Sequence, residues 1–287
     1  MAIERRTLLL TAAGAAAASA GCTARPRAEP ADDATGILYD ATRCIGCETC
    51  VGACKEAGGQ PPDWDTDGIH DDARDLSPSA RTVIKHHDNG RETSFVKVQC
   101  MHCLDPACVS VCMLGAFEKV ERGIVAWDAD KCIGCRYCQL ACPYNIPRFE
   151  WDTAVPALSK CDLCRDRQQQ GKTPACAQTC PAGALTFGPY QDMLREAHDR
   201  IRNHPARYVD KVYGETEAGG AQWLYLTAVP ATALGLPDLG AEPAPELSET
   251  VQHGIYRGFI APAALYVALG AVLIRNRKRN TQREVKE

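Results

Sequence analysis

The 287-residue chain has few aromatic residues and no excess of positive charge. Phe, Trp and Tyr make up 6% of the residues, so part of the folding energy must come from elsewhere than a large aromatic core. The formal net charge of −4 argues against a nucleic-acid partner, which requires a basic surface. The chain also has no G-x-G-x-x-G turn, no P-loop, no H-E-x-x-H pair and no specific Ser, His and Asp placement. We therefore identify no catalytic residue.

Cysteine, in contrast, is abundant, and sixteen of the seventeen cysteines form four groups of four. Groups one and three are spaced C-x2-C-x2-C-x3-C, and groups two and four keep the outer C-x2-C and C-x3-C but have a longer middle. This spacing is typical of cubane iron–sulfur sites, in which the fourth cysteine serves another cluster. The sequence thus predicts four [4Fe-4S] clusters, with these cysteines as the cofactor-binding iron ligands: Cys44, Cys47, Cys50 and Cys54; Cys100, Cys103, Cys108 and Cys112; Cys132, Cys135, Cys138 and Cys142; Cys161, Cys164, Cys176 and Cys180.

Two other uses of cysteine fit this spacing less well. Disulfide frameworks are common in exported proteins, but cysteines this close in sequence make poor partners for one another. Zinc ribbons need two cysteine pairs per ion, whereas these groups read as triplets with a distant fourth member. Iron–sulfur ligation is therefore the favoured interpretation.

Several residues beside the ligands suit such a site. Gly46 and Gly134 allow the backbone to curl around a cluster. His102 lies between Cys100 and Cys103, where it packs on a cluster or donates to a sulfur atom, rather than acting as a ligand, because the cysteine set is already complete. Positive charge near a cluster raises its potential. Five basic residues lie beside ligands, and each is equally explained as a solvated surface cation: Arg43, Lys131, Arg136, Lys160 and Arg165.

An internal duplication indicates the fold class. Residues 40–47 (DATRCIGC) match residues 128–135 (DADKCIGC), and PAC at 106–108 matches PAC at 174–176. Short strand-like runs bracket the cysteines of each half, at 37–39, 116–118, 124–126 and 184–187. We therefore predict an α+β fold, with a duplicated ferredoxin-like 4Fe-4S domain over residues 36–190. The duplication alone favours a tandem pairing of the groups, first with second and third with fourth.

The remaining segments are predicted from local patterns. Asn89-Gly90 between two strand-like runs indicates a hairpin that caps the domain. Residues 191–202 have helical periodicity. Residues 214–249 are rich in Gly, Ala and Pro, which predicts a loosely structured surface arm, so we assign 191–250 to a C-terminal extension that contacts partners.

The N-terminus has the marks of an export signal. Arg5 and Arg6 precede a short apolar run and an A-x-A site at 18–20, which predicts a twin-arginine signal and linker over residues 1–35. We do not expect a lipid on Cys22, because Ser19 stands where a lipobox usually has Leu.

The C-terminal segment, residues 251–287, is predicted to be an anchor. Residues 258–274 form an uncharged run of seventeen residues, and this length is the short limit for a single transmembrane helix. The alternative is a buried helix of a soluble domain. His253 precedes this run, either near a quinone site or as an ordinary interfacial residue. The basic cluster that follows predicts a cytoplasmic tail and a cluster domain on the periplasmic side: Arg275, Arg277, Lys278 and Arg279.

The runs GILYDATRCIGCETCVGAC, QCMHC with DPACVSVC, and KCIGCRYCQLACPYNIPRFEW resemble the four-cluster ferredoxin-type subunits of respiratory oxidoreductases. That family includes subunits of formate dehydrogenase and dimethyl sulfoxide reductase. The signal and the tail (VYGETEAGGAQWLYLTAVPATALGLPDL) are similar to members that serve nickel–iron hydrogenases of the hydrogenase-2 type. The resemblance implies an electron-transfer subunit, not an enzyme by itself. Its partners would be the small and large hydrogenase subunits and an integral membrane quinone-reactive subunit.

The resemblance also implies a nested pairing of the cysteine groups, in contrast to the tandem one. Group one would be completed by Cys180, group four by Cys54, group two by Cys142 and group three by Cys112. Two other functions stay open at this point: the equivalent subunit of a molybdenum enzyme such as formate dehydrogenase, and an exported binding module braced by disulfides.

Overall fold

The computed structural model describes residues 28–60, 75–88, 93–153, 156–246, 248–249 and 260–284. Most of the predicted signal, Cys22, the Asn89-Gly90 turn and His253 lie outside these residues. The described chain falls into a main unit that ends at Pro245 and a separate C-terminal segment.

The main unit contains nine short strands and six α-helices in its described residues, together with three single-turn 3-10 helices. The strands are β1 (Thr35–Asp40), β2 (Thr82–Asp88), β3 (Thr93–Gln99), β4 (Phe117–Lys119), β5 (Val125–Trp127), β6 (Arg148–Phe149), β7 (Leu158–Ser159), β8 (Leu185–Pro189) and β9 (Trp223–Leu226). The helices are α1 (Thr49–Ala57), α2 (Ala107–Ser110), α3 (Tyr137–Ala141), α4 (Arg165–Gln169), α5 (Ala175–Gln178) and α6 (Tyr190–Asn203). This is the mixed α and β content that the sequence predicts.

The main sheet has the strand order β8-β1-β9, and β1 lies in the middle. Because side chains alternate along a strand, β1 contributes buried side chains to both faces of the sheet. Ile37 and Tyr39 pack with Trp223 on one face. Leu38 packs on the other face with the apolar side of α6. The strand reads as a continuous apolar run because both of its faces are buried.

The strands around the cysteine groups pair in a nested order. β1 precedes group one and pairs antiparallel with β8, which follows group four. β4 follows group two and pairs antiparallel with β5, which precedes group three. The four strands lie where the sequence pattern predicts them, within one or two residues at each end. The first group is thereby held beside the last, and the two middle groups beside each other.

The structure corrects the prediction of a loose surface arm over residues 214–249. Within that range, β9 pairs parallel with β1, and Trp223 lies opposite Ile37 at the start of the pairing. Trp223 and Leu224 have no exposed surface. The Gly-rich and Pro-rich flanks hid a four-residue run, WLYL, that is apolar enough to complete the sheet. Helix α6, in contrast, covers the predicted range almost to the residue.

The C-terminal segment contains helix α7, Ile260–Glu284. Among the helices of the described residues, none is long and apolar enough to cross a membrane. The predicted transmembrane helix is therefore not supported. Within α7 the uncharged run ends at Ile274, about 15 residues from the start of the helix, whereas a span needs about 20.

Candidate iron–sulfur sites

The loops that carry the first cysteines of each group are built from unusual backbone conformations. Positive φ values occur in all four loops: Gly46 and Glu48, His102, Gly134 and Arg136, and Leu163 and Cys164. Such conformations favour glycine and cost other residues about 1–2 kcal/mol each. Their recurrence means that each loop is curled so that its cysteines point to one side.

The two loop glycines predicted from the sequence are required for steric reasons as well. A Cβ atom on Gly46 would lie 2.3 Å from the Phe95 ring, and one on Gly134 would lie 2.6 Å from Pro156. Both glycines also have φ near +70°. The third cysteines of groups one and three, Cys50 and Cys138, stand four residues after these glycines, in the first turns of helices α1 and α3.

The fourth cysteine of each group is four residues after the third, about one helical turn further along. In group one, Cys50 and Cys54 occupy successive turns of α1. A displacement of about 6 Å along the helix takes Cys54 away from its own loop and toward another set of cysteines. This offset is the local origin of shared sites.

The structure gathers the sixteen cysteines into four sets, which we call cages A to D. Cage A is lined by Cys44, Cys47, Cys50 and Cys180, together with Tyr39 and Ile84. Burial raises the pKa of the Cys44 and Cys50 thiols, and the Cys180 thiol adds to both shifts. Cys180 therefore belongs with group one.

Cage B is lined by Cys54, Cys161, Cys164 and Cys176, with Trp223 behind them. Burial raises the pKa of Cys54 to about 11 and that of Cys176 to about 12. Cys54 thus lies with group four and not with group two.

Cages C and D contain the two middle groups. Cage C consists of Cys100, Cys103, Cys108 and Cys142: burial raises the pKa of Cys103, and the other three thiols raise it further. Cage D consists of Cys112, Cys132, Cys135 and Cys138, which line one cavity with Phe149. Burial raises the pKa of Cys138 to about 12, with further contributions from the other three thiols of this cage.

The nested pairing is therefore the one observed, and the tandem pairing is wrong. The physical reason is the strand pairing: β1 with β8 brings group one to Cys180, and β4 with β5 brings group three to Cys112. The local sequence match between the halves carries no information about which half-sites face each other.

The cages follow one another in the order A, B, C, D. Electrostatic interactions between thiols cross the boundaries at three places: Cys50 with Cys176 between A and B, Cys161 with Cys100 between B and C, and Cys108 with Cys138 between C and D. These interactions connect A to B, B to C and C to D, so the four sets form a line in this order.

The donor sets fit cubane iron–sulfur clusters. All sixteen cysteines are free, and none forms a disulfide. In the described part of the chain, no three His, Cys, Asp or Glu side chains are arranged to hold a single metal ion. A cubane cluster takes each thiolate on a different iron atom, so its ligands stand further apart than those of one zinc ion. The apolar cage walls and all-cysteine donors suit such a cluster.

The five basic residues predicted to lie beside ligands differ in their surroundings. Arg43, Lys131 and Arg165 form ion pairs with Asp40, Asp128 and Glu121 respectively. Hydrogen bonds from Arg165 lower the pKa of Glu121 to about 2.

The other two are engaged differently. The Arg136 guanidinium lies 3.9 Å from the centroid of the Trp151 ring. Lys160 is buried and donates to the backbone oxygens of Val125 and Cys161, at 2.6 and 3.0 Å. Of the five, only Lys160 is buried.

His102 is held inside the unit. Its Nδ1 accepts a hydrogen bond from the Val125 N–H at 3.0 Å. Burial lowers the pKa of His102 well below its ordinary value, and the Lys160 charge adds to this shift, so the ring is neutral. The neutral ring then carries its proton on Nε2.

One charged residue was not singled out from the sequence. Lys97 on β3 is 1% exposed and lines cage B. Burial by itself lowers the pKa of Lys97, but the thiolates of Cys50, Cys176, Cys54 and Cys161 outweigh it, and the pKa is raised. A lysine inside the apolar run FVKV, facing inward in a hairpin, was the available signal.

Comparison with known proteins agrees with this geometry. A family model described as a 4Fe-4S dicluster domain matches residues 91–190. The hydrogenase-2 operon protein HybA of Escherichia coli O157:H7 is 35% identical, over 94% of this chain and 92% of that protein. The formate dehydrogenase-O iron-sulfur subunit of Escherichia coli K12 is 34% identical, over 86% of this chain and 83% of that subunit. A protein of Nitratidesulfovibrio vulgaris is 44% identical over 75% of this chain, which spans only 60% of that relative's length.

Proposed function

Because the chain belongs to the family of iron–sulfur electron-transfer subunits that includes HybA and the formate dehydrogenase iron–sulfur subunits, we propose that it relays electrons between a periplasmic nickel–iron hydrogenase and a membrane quinone-reactive subunit. The observation that carries this proposal is the line of four all-cysteine cages from A to D. A relay requires neighbouring redox sites, and the linear order provides them.

Each cage would hold one [4Fe-4S] cluster, which when bound takes up and releases single electrons. The chain's residues fix the position of each site and keep water from part of it. Cys50 of cage A, Cys161 and Cys176 of cage B and Cys138 of cage D are buried. Because cysteine supplies all four donors of each cage, no position is left for a substrate, and hydrogen would be split on a separate subunit.

The surface around cage D supports a protein partner at that end. Cys135 is exposed, and large apolar side chains stand around its loop: Ile133 is 66% exposed, Leu140 83% and Trp151 69%. Exposed apolar patches of this kind are typical of interaction surfaces. At the opposite end of the line, Ile45 is exposed beside cage A. Both ends are thus suited to exchange electrons with a partner subunit of the complex.

The proposed location is the periplasmic side of the inner membrane, after export by the twin-arginine route. Support comes from the paired arginines near the N-terminus, since that route carries proteins that have already folded around their cofactors. The membrane association rests on the quinone-reactive partner and does not require helix α7 to span the bilayer.

A second candidate is the equivalent subunit of a molybdenum enzyme. The similarity to the formate dehydrogenase-O iron-sulfur subunit, at nearly the same identity as to HybA, favours keeping it. The cages and their order would be the same, and only the catalytic partner would differ.

The test is purification of the tagged chain with its partners, under nitrogen and in a mild detergent. We expect nickel to co-purify without molybdenum, and hydrogen gas to bleach the visible absorption of the complex while formate does not. Molybdenum in place of nickel, with bleaching by formate, would establish the second candidate. A complex whose absorption responds to neither would refute both.

A further inference from the structure

Lys97 is a buried cation with unusual neighbours. Its Nζ donates a hydrogen bond to the Thr82 hydroxyl and lies 5.7 Å from the centroid of the Trp223 ring. Within the described residues, Lys97 forms no ion pair with a carboxylate, and its side chain is 1% exposed. Burying a charge is costly unless an opposite charge or several hydrogen bonds compensate it. One hydroxyl and one aromatic ring do not supply that compensation.

The groups placed to compensate this charge are the cysteines of two cages, which are thiolates when they ligate iron. Lys97 lines cage B together with Cys54, Cys161, Cys164 and Cys176. Ile84, which is paired with Lys97 across the hairpin, lines cage A, and the Lys97 charge acts to lower the pKa of Cys50 in that cage. Lys97 therefore lies at the boundary between cages A and B.

The hairpin explains how a lysine reaches this place. β2 and β3 pair over seven registers, from Thr82–Gln99 to Asp88–Thr93, and Val96 is buried in the core. Thr82, the hydrogen-bond partner of Lys97, is itself buried at the base of β2. The hairpin does more than cap the domain, because it inserts one ammonium group between two sets of thiolates.

We propose that Lys97 sets the reduction potentials of the clusters in cages A and B and couples those two sites as the first pair of the relay. This inference rests on the proposed function, because it requires clusters in those cages. Reduction adds negative charge to a site, and a fixed positive charge nearby stabilises the reduced form. The effect is large in the interior, where the charge is not screened by solvent.

Lys131 provides a matched control. It lies beside Cys132 of cage D, as Lys97 lies beside cage B, but it is about half exposed and is paired with Asp128 at 3.1 Å. Solvent and the carboxylate screen its charge. Loss of the Lys131 charge should leave the reduction potential of the cluster in cage D nearly unchanged.

The experiment compares Lys97→Met, Lys97→Arg and Lys131→Met with the unsubstituted protein, by redox titration followed by electron paramagnetic resonance. Iron and sulfide content are measured on each sample. In Lys97→Met we expect two of the clusters to be harder to reduce by about tenfold or more in equilibrium constant, which is about 59 mV for a one-electron couple. The other two clusters should not shift, and Lys97→Arg and Lys131→Met should titrate like the unsubstituted protein.

Unchanged potentials in a fully loaded Lys97→Met protein, or equal shifts of all clusters, would overturn the inference. If Lys97→Met loses iron, the Lys97→Arg variant distinguishes charge from packing. Iron content and reduction potentials that are retained in Lys97→Arg show that the positive charge is required. Loss of iron in both variants shows a packing role and refutes the proposal. If the unsubstituted protein contains no iron, the proposed function fails instead, so the two failures are distinguishable.

Discussion

Pairs of cysteine-to-alanine substitutions test the nested arrangement through the iron that the protein retains. Cys44 and Cys180 both line cage A, although they stand in the first and the fourth groups. Cys132, in the third group, lines cage D. The comparison therefore uses the double variants Cys44→Ala/Cys180→Ala and Cys132→Ala/Cys180→Ala, with the three single variants and Cys22→Ala as controls.

The expected losses follow from four iron atoms per cluster. Each single variant should lose up to about four of about sixteen iron atoms per chain. The Cys44/Cys180 double variant should lose no more than its single variants, because both changes damage the same site. The Cys132/Cys180 double variant should lose the sum of its single variants, up to about eight. Cys22→Ala should retain all the iron.

The tandem pairing predicts the opposite result, because Cys180 would then complete the site of Cys132. The assay is iron and acid-labile sulfide per chain on protein purified under nitrogen. Additive loss in Cys44/Cys180 together with non-additive loss in Cys132/Cys180 would refute the assignment of cages A and D.

Three further outcomes are expected. Gly46→Ala should lower stability and iron retention more than Gly171→Ala. Both glycines have φ near +70°, but only a Cβ on residue 46 would clash, at 2.3 Å from the Phe95 ring. Urea unfolding and iron analysis compare the two variants, and equal effects would contradict the steric argument. Trp223→Ala should cost about 3–5 kcal/mol of unfolding free energy in urea titrations, whereas the exposed Trp151→Ala should cost about 0.5 kcal/mol or less; similar costs would place Trp223 outside the core. Hydrogen bonds from Arg165 and Gln169 lower the pKa of Glu121 to about 2, so their contribution to stability is present above about pH 4.5 and declines as the pH falls toward about 2. Glu121→Gln should therefore make the unfolding temperature depend less steeply on pH over that acid range, and an unchanged pH dependence would count against the ion pair.

Much of the fold was predictable because the cysteine spacing restricts the local backbone. The four short strands, helix α6 and the glycines of two loops follow from local patterns. The spacing of three residues between the third and fourth cysteines places them a helical turn apart. That spacing predicts shared sites without stating which groups share them.

The pairing and the order of the cages depend on long-range contacts. They follow from β1 with β8 and β4 with β5, and the internal repeat favoured a different pairing. β9 was missed because Gly, Ala and Pro surround its four apolar residues, and its burial depends on the β1 partner. Lys97 was missed for a related reason: nothing local to β3 indicates that thiolates from distant groups would compensate its charge.

Iron and acid-labile sulfide in the anaerobically purified chain test the central claim most directly. The account predicts about sixteen atoms of each per chain, four for every cage. Reduction should then give the magnetic resonance signals of several neighbouring clusters. A colourless product without iron, with its cysteines joined as disulfides or bound to zinc, would contradict it.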